Sequence, residues 1–306
     1  MVSVQDLAVV TGSFGFTGAA IAGRLLSLGR RVRTLTGHPD RLDRLGGKME
    51  VAPLSFQDPD RLRESLIGAT TLYNTYWVRF ERGAATFGQA VENTRTLVKA
   101  AEEAGVQRLV HISITNPSAE SPLPYFRGKA LVEQAIGHST LSHAIVRPTV
   151  IFGSGSILLN NIAWLLRRLP VFVIPGSGDY RLQPVSVEDV AELAVRAAHL
   201  EDNVTLDAVG PETYTFNELV RLIADKVHSS ARIIHLPPSL AHSAARVLSV
   251  ALRDVLITRD EIEGLMAGLL VSSTPPTGES RFGEWLEQNT SSIGTAYFSE
   301  LDRHYR

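Results

Sequence analysis

The fold is decided by residues 7–29, LAVVTGSFGFTGAAIAGRLLSLG, where a short β-branched run leads through a glycine-rich turn into an amphipathic stretch. The turn has the spacing Gly-x-x-Gly-x-x-Gly. In a strand–turn–helix unit of this kind, the first glycine permits the tight turn, the second lets the backbone approach a pyrophosphate, and the third permits close packing of helix on strand. Free N–H groups at the helix N-terminus then face the phosphates. The stretch therefore predicts a dinucleotide site whose contacts are Gly12, Phe14, Gly15, Phe16 and Gly18.

The first half of the chain continues this alternation of short β-branched runs and longer amphipathic stretches. Such a pattern is typical of repeated βαβ units around a parallel sheet. It predicts an α/β fold, a Rossmann-type doubly wound sheet. The predicted strands end at Thr11 or begin at Arg31, Met49, Thr70, Arg108 and His143, and the predicted helices span residues 18–28, 83–104 and 125–136.

Beyond about Pro148 the pattern changes, because proline and glycine become denser and helical patterns dominate from Val187 onward. We therefore expect a dinucleotide-binding Rossmann domain over residues 1–150. A smaller, mostly helical substrate-side region follows over 151–306, from which the sheet can take further strands. Within it, Thr215 and Glu218 have the spacing of a capping box at the start of a helix.

Composition excludes several classes of protein. The chain has 306 residues with 30 basic and 32 acidic side chains, a formal net charge of −2, and 44% hydrophobic residues. This is the composition of a globular protein without the basic field that nucleic acid binding needs. The chain has no cysteine, which excludes a disulfide framework, a cysteine nucleophile and a cysteine-ligated metal.

Further expectations follow from what the pattern does not contain. The nine histidines show no metal-ligand spacing, so no metal site is predicted. No apolar run approaches the roughly 20 residues of a membrane span, and the start does not have the pattern of a signal peptide. We therefore expect a cytoplasmic protein that acts on a small molecule.

A candidate catalytic group follows the fifth predicted strand. Ser113 and Thr115 stand at the strand end, and Tyr125 and Lys129 follow at the start of a helical pattern. The i to i+4 spacing places Tyr125 and Lys129 on one helix face. A neighbouring ammonium stabilises phenolate and lowers the pKa of a tyrosine, which can then exchange a proton with a substrate oxygen. A hydroxyl of Ser113 or Thr115 is placed to hold that oxygen.

The end of the second strand bears on the choice of cofactor. An acidic residue would hold the ribose hydroxyl of NAD about 20 residues after the glycines. This chain instead has Thr36, Gly37 and His38, with Arg41 close behind. The missing acid favours NADP(H) over NAD(H), with Thr36, His38 or Arg41 near a 2′-phosphate, although Arg41 is also typical of a solvated helix.

Together, the glycine turn of residues 11–18, the Tyr125 and Lys129 pair and Thr115 resemble the extended branch of the short-chain dehydrogenase/reductase superfamily, which includes nucleotide-sugar epimerases and dehydratases. The resemblance implies a nicotinamide cofactor, catalytic roles for Thr115, Tyr125 and Lys129, and contact of Lys129 with the cofactor ribose. Asn93 is similar to the active-site Asn of the family. Later landmarks imply a cofactor contact at Pro148 and substrate contacts at Arg147 and Gln183, beside Ser113.

The chain also departs from the family. Gly37 stands where an atypical, NmrA-like subgroup commonly has an NADP-reading arginine, and Ser55 replaces an acidic residue near adenine. Trp77 lies in a bulky segment after the fourth strand that would wall the nicotinamide pocket, which argues against a sugar-nucleotide substrate.

Three functions remain open. The first is an NAD(P)-dependent oxidoreductase of extended short-chain type that acts on a carbonyl or secondary alcohol of a small organic substrate. The second is an epimerase or dehydratase acting on a nucleotide sugar. The third is a non-catalytic sensor or assembly scaffold, as the resemblance to NmrA-like proteins and to the nucleotide-binding accessory subunit of respiratory complex I implies. A homodimer through the helices near Gly83 and Tyr125 is a further expectation.

Overall fold

The computed structural model describes residues 6–37 and 47–304, which form two compact units. The first unit comprises the described residues up to Pro148 together with Val187–Ala208. The second comprises Thr149–Ser186 and the described residues from Val209 onward. The segment 187–208 therefore belongs to the first unit. The chain first passes from the first unit to the second after Pro148, and the predicted domain boundary is at residue 150.

The elements of the described chain alternate strand and helix through its first half. In chain order they are β1 (Leu7–Thr11), α1 (Phe16–Ser27), β2 (Arg31–Thr36), β3 (Glu50–Pro53), α2 (Pro59–Leu66), β4 (Ala69–Asn74), α3 (Phe87–Glu103), β5 (Arg108–Ile112), α4 (Pro124–Gly137) and β6 (Ser142–Pro148). They continue as β7 (Val150–Phe152), α5 (Ile157–Arg168), β8 (Val171–Pro175), β9 (Arg181–Leu182), β10 (Pro184–Ser186), α6 (Val187–Ala197), β11 (Val204–Ala208), β12 (Tyr214–Thr215), α7 (Phe216–Lys226), β13 (Arg232–Leu236), α8 (Pro238–Leu252), α9 (Arg259–Met266), α10 (Phe282–Gln288) and α11 (Glu300–His304).

A seven-stranded sheet forms the first unit, in the order β11-β6-β5-β4-β1-β2-β3, and every neighbouring pair is parallel. The strand order reverses between β1 and β4, so the carboxyl ends of these strands form the crevice in which sheets of this class bind ligands. The predicted α/β Rossmann-type fold is confirmed. All six predicted strands form, and β11 adds a seventh from beyond residue 150.

Helices cover both faces of this sheet. Leu7 and Val9 of β1 pack with α2, α3 and α4 in one hydrophobic cluster, whereas Ala8 and Val10 point to the opposite face because side chains alternate along a strand. On that second face α1 packs against α6. Helix α3 begins at Phe87 rather than near residue 83, because the hydroxyl of Thr86 accepts a hydrogen bond from the Gln89 amide and caps the helix there.

The second unit has its own core, built around Phe152 and Phe282. Its strands form three two-stranded pairs, β10 with β7, β12 with β9 and β13 with β8, and the helices of the unit contain more residues than these short strands do. The predicted capping box at Thr215 and Glu218 is confirmed, since each side chain bonds the backbone N–H of the other residue. Across the described part of the chain, no helix has the length and apolar character needed to cross a bilayer.

Helix α1 approaches the glycine turn so closely that a side chain does not fit at its third glycine. A Cβ atom at Gly18 would lie 2.3 Å from the carbonyl oxygen of Gly12. Gly12 itself has a φ of +69°, which L-residues with a side chain rarely adopt. By contrast, a Cβ atom at Gly23, in the same helix, would meet no described atom within 4 Å.

Two alanine substitutions in α1 should therefore have opposite effects. Gly18→Ala should lower the free energy of unfolding by about 1–3 kcal/mol, because the methyl group forces the turn and the helix apart. Gly23→Ala should raise it by about 0.5–1 kcal/mol, because alanine loses less conformational freedom in a helix. Urea denaturation of both variants measures the difference, and a Gly18→Ala protein as stable as the wild type would contradict the observed packing.

Candidate functional site

The glycine turn presents the N-terminus of α1 without a capping side chain. The turn is held by hydrogen bonds from the Gly12 amide to the Leu35 carbonyl (2.9 Å) and from the Gly15 amide to the Gly12 carbonyl (2.8 Å). Gly15 is the N-cap residue of α1, and the first turn of the helix has no acidic side chain. Because the first amides of a helix have no partner inside it, this end attracts anions. The arrangement fits the pyrophosphate of a dinucleotide.

A buried network ties together the carboxyl ends of β1, β4 and β5. The hydroxyl of Thr11 donates to the side-chain oxygen of Asn74 (3.1 Å) and accepts from the Thr75 amide (2.8 Å). The amide nitrogen of Asn74 lies 3.1 Å from Nδ1 of His111. Burial is the main reason that the pKa of His111 lies well below its ordinary value, and the charge of Lys129 adds to the effect, so the ring is neutral at pH 7. The network fixes where the segment after β4 leaves the sheet.

The end of β2 is described only in part. Thr36 is buried at the end of the strand, and Gly37 follows it at the surface. The predicted cofactor contacts His38 and Arg41 lie outside the described residues. Beyond β3, where Ser55 replaces an acidic residue, the ring of Phe56 packs on that of Tyr76 at 4.7 Å between centroids.

Lys129 is buried in the first unit, with 3% of its surface exposed. Its Nζ donates a hydrogen bond to the Ile112 carbonyl (2.9 Å) and lies 4.8 Å from the centroid of the Trp77 ring. Desolvation lowers the pKa of Lys129 to about 7, and the negative charge of Glu133 partly opposes that shift. Near neutral pH the ammonium form of Lys129 can therefore release a proton and the amine form can take one up.

Tyr125 lies beside three other aromatic rings, one of which belongs to its chain neighbour Phe126. Its ring meets Trp77 edge-on at 5.9 Å and Phe87 edge-on at 5.8 Å between centroids. Trp77 also packs against α4 so tightly that a Cβ atom at Gly128 would lie 2.9 Å from the indole ring. The predicted pair of Tyr125 and Lys129 thus lies on α4, and Trp77 contacts both of its side chains.

The two hydroxyls after β5 differ in their surroundings. Ser113 donates its hydroxyl hydrogen bond to the Glu133 carboxylate. Thr115 is fully buried, and its hydroxyl has no hydrogen-bond partner among the described residues. The amides of both residues bond to carbonyls of β6, at Val146 and Pro148. Of these two hydroxyls, only that of Thr115 is without a hydrogen-bond partner in the described chain, and its predicted contact with a substrate oxygen stays a prediction.

Several other predicted residues are engaged with neighbouring groups. The side-chain amide of Asn93 donates to the Tyr76 hydroxyl (2.8 Å) and accepts from Gln89 (2.9 Å). Arg147 forms an ion pair with Glu133. Gln183 lies buried in the second unit, where its side-chain nitrogen donates to the Gly210 carbonyl (2.8 Å). Their predicted contacts with substrate stay predictions, and each would require its side chain to change or share these bonds.

Sequence reasoning missed Glu133, which binds both Ser113 and Arg147. The signal was present, because Glu133 follows Lys129 by the same four residues that separate Lys129 from Tyr125. The described residues contain no group of three or more His, Asp and Glu side chains that could hold a metal ion.

A protein family and several known proteins are similar to this chain. A family model described as NAD(P)H-binding matches residues 12–201. The mitochondrial NADH dehydrogenase [ubiquinone] 1 alpha subcomplex subunit 9 of Arabidopsis thaliana is 26% identical over 87% of this chain and 71% of its own length.

Two solved structures have a similar fold. The triphenylmethane reductase of Citrobacter sp. aligns with a TM-score of 0.77 and 17% identity, over 94% of this chain and 99% of its own. The NADPH-dependent quinone oxidoreductase of Escherichia coli, complexed with NADPH, aligns with a TM-score of 0.75 and 18% identity, over 93% and 98%. A cytoplasmic location and a homodimer stay predictions.

The different surroundings of Ser113 and Thr115 predict different stabilities for their variants. Ser113→Ala should lower the free energy of unfolding by about 1–3 kcal/mol, because the buried Glu133 carboxylate loses the hydrogen bond that the Ser113 hydroxyl donates to it. Thr115→Val keeps the shape of the side chain and removes an unpartnered hydroxyl, so stability should be unchanged or higher by up to about 1 kcal/mol. Thermal and urea denaturation measure the stability of both variants. A loss of stability in Thr115→Val as large as that in Ser113→Ala would show that the Thr115 hydroxyl has a structural partner.

Proposed function

The chain belongs to the NAD(P)H-binding family, and from this premise we propose that it is an NAD(P)-dependent oxidoreductase of the extended short-chain type. Its substrate would be a small organic molecule that reacts at a carbonyl group or a secondary alcohol. The expected resemblance of the chain to the extended short-chain superfamily is confirmed. The roles of the glycine turn and of the Tyr125 and Lys129 pair are part of the proposal.

One observation carries the proposal. The buried Thr115 hydroxyl has no partner among the described residues, and it follows β5 in the same unit that places Tyr125 and Lys129 on one face of α4. A buried hydroxyl without a hydrogen bond is unfavourable by about 1–3 kcal/mol. A substrate oxygen would satisfy it, which is the role that the chemistry requires of this hydroxyl.

The proposed roles follow from the chemistry of each side chain. Tyr125 exchanges a proton with the substrate oxygen, and Thr115 holds that oxygen in place. Lys129 favours the ionised form of Tyr125 and binds the cofactor ribose. The nicotinamide, when bound, supplies or accepts the hydride at the substrate carbon. The glycine turn and the N-terminus of α1 hold the pyrophosphate.

The rings around Tyr125 favour an apolar substrate. The half-buried ring of Trp77 and the buried ring of Phe87 lie beside the proton donor. A sugar carries many hydroxyl groups that such rings leave unpaired. We therefore favour a flat carbonyl compound over the nucleotide sugar of an epimerase or dehydratase.

A second candidate is a non-catalytic NAD(P)H-binding subunit, and the position of Lys129 favours it. The Lys129 ammonium bonds to the Ile112 carbonyl and lies under Trp77, so contact with a ribose requires it to share or leave these contacts. The similarity to a subunit of NADH dehydrogenase agrees with this alternative.

Replacing Tyr125 separates the candidates. Tyr125→Phe should lower turnover by about 100-fold or more, because the proton donor is lost, while NADPH affinity stays within about twofold. Fluorescence titration with NADPH and NADH, followed by a screen of carbonyl substrates, measures both quantities. Tyr73→Phe, which removes a hydroxyl from the buried part of β4, serves as the matched control.

The results of these measurements distinguish the oxidoreductase from the other two candidate functions. Unchanged turnover in Tyr125→Phe would overturn the catalytic role of Tyr125. Cofactor binding without turnover of any carbonyl substrate would favour the non-catalytic subunit. Oxidised cofactor that stays bound through purification, with no net consumption of NADPH, would favour the epimerase or dehydratase.

The cofactor preference can be tested at Gly37. A Cβ atom there would meet no described atom within 4 Å, and Gly37 follows the strand end where the cofactor ribose is expected. Gly37→Arg should raise the affinity for NADPH relative to NADH by about tenfold, because a guanidinium binds a 2′-phosphate by charge-assisted hydrogen bonds. Gly37→Gln, of similar length without the charge, should leave the ratio near that of the wild type. An equal rise in both variants would show that charge is not the cause.

A further inference from the structure

Helix α4 carries a third ionisable side chain on the face that holds Tyr125 and Lys129. Glu133 lies one turn beyond Lys129 and is 9% exposed. A buried carboxylate is unfavourable unless it is paired and hydrogen-bonded, so its partners show what the fold has built around it.

The partners of Glu133 come from the two strands beside the helix. Ser113, directly after β5, donates its hydroxyl to Oε1. Arg147, in β6, donates from Nε to Oε1 (3.0 Å) and from Nη2 to Oε2. This two-point contact raises the pKa of Arg147 above its ordinary value. Glu133 therefore joins β5, β6 and α4 at a single carboxylate.

Glu133 also acts on Lys129 through its charge. Burial lowers the pKa of Lys129, and among the described groups Glu133 is the one whose charge raises it. The other groups that face Lys129 are Trp77, which offers a neutral ring, the Ile112 carbonyl, and His111, whose own pKa is lowered by the charge of Lys129. Glu133 is thus the negative group that acts on Lys129 from four residues further along the same helix face, while its carboxylate is also paired with Arg147.

We propose that Glu133 is a positioning residue of this site, which balances the buried charge of Lys129 and fixes Ser113 and Arg147 to the catalytic helix. Its effect on proton transfer rests on the proposed function, whereas the coupling of its charge to Lys129 does not. Loss of the carboxylate leaves Lys129 uncharged over a wider range of pH.

The number of lysines makes a direct test practical. The chain has four, Lys48, Lys99, Lys129 and Lys226. Protein labelled with carbon-13 at the lysine ε position therefore gives four side-chain signals in a nuclear magnetic resonance spectrum. The Lys129 signal is assigned as the one lost in Lys129→Arg, and its titration is followed from about pH 5.5 to pH 9 in the cofactor-free protein.

We expect Lys129 to titrate near pH 7 in the wild type and about one pH unit lower in Glu133→Gln, because the opposite charge is removed. The matched control is Glu192→Gln, which removes the same charge from an exposed ion pair with Arg24 on the other face of the sheet. It should leave the Lys129 midpoint unchanged. Equal midpoints in the wild type and Glu133→Gln, or equal shifts in both variants, would overturn the proposal.

Glu133→Gln leaves Arg147 without its partner and could fail to fold. The double variant Glu133→Gln/Arg147→Gln removes both charges, which avoids an unpaired buried ion. Its Lys129 midpoint should still lie below that of the wild type, because the charge that raises it is absent. A midpoint equal to the wild type in the folded double variant would also contradict the proposal.

NADPH titrations of the same proteins separate this inference from the proposed function. With both correct, the pH above which NADPH affinity falls should move down in Glu133→Gln together with the Lys129 midpoint. A shifted Lys129 midpoint in a protein that binds no cofactor would support the charge coupling and refute the oxidoreductase. Cofactor binding and turnover with an unshifted midpoint would support the oxidoreductase and refute the coupling.

Discussion

Burying the ammonium group of Lys129 removes it from water, and each of its neighbours compensates for part of that loss. The Ile112 carbonyl accepts one hydrogen bond, the Trp77 ring offers its electron-rich face, and Glu133 supplies the opposite charge. Two of these neighbours depend on further contacts. Trp77 reaches the helix only because residue 128 is glycine, and Glu133 is held by Arg147. The contacts around one buried charge therefore connect β5, β6, α4 and the segment after β4.

Much of the fold could be predicted from sequence because its signals are local. The β-branched runs that end at Thr11 or begin at Arg31 and Arg108 became strands because each is buried along its whole length or most of it. The glycine spacing of residues 12–18 was equally informative, since steric fit at Gly18 depends only on the turn six residues earlier. The start of α3 was placed about four residues too early, because the capping role of Thr86 was not recognised.

The site was less predictable because its contacts join residues distant in sequence. Family resemblance ranked Thr115 above Ser113, but the sequence alone does not show that Glu133, twenty residues after Ser113, takes up the Ser113 hydroxyl. The fit between Trp77 and Gly128 likewise joins positions on separate elements, and no periodicity relates them. The family resemblance implies a substrate contact for Gln183, and the sequence does not show that its side chain bonds to the Gly210 carbonyl within the second unit. What a side chain contacts across the fold is the information that one sequence lacks.

The distribution of unpartnered polar atoms argues for ligand binding independently of any resemblance. Within the described chain, five buried side-chain atoms lack a hydrogen bond, and they belong to Ser13, Trp77, His111, Thr115 and Glu300. Glu300 lies in the second unit, whereas the other four residues lie at, or shortly after, the carboxyl ends of β1, β4 and β5, the central strands of the sheet. Each such atom is unfavourable by about 1–3 kcal/mol, and native proteins keep few of them. Their concentration at the edge where sheets of this class bind ligands indicates that stability has been given up there for binding.

A binding protein and an enzyme would share most of this pattern of unpartnered polar atoms. Under the proposed function, the buried Thr115 hydroxyl favours the enzyme, because it follows the strand that leads to the helix of Tyr125 and Lys129, where a substrate oxygen would accept its hydrogen bond.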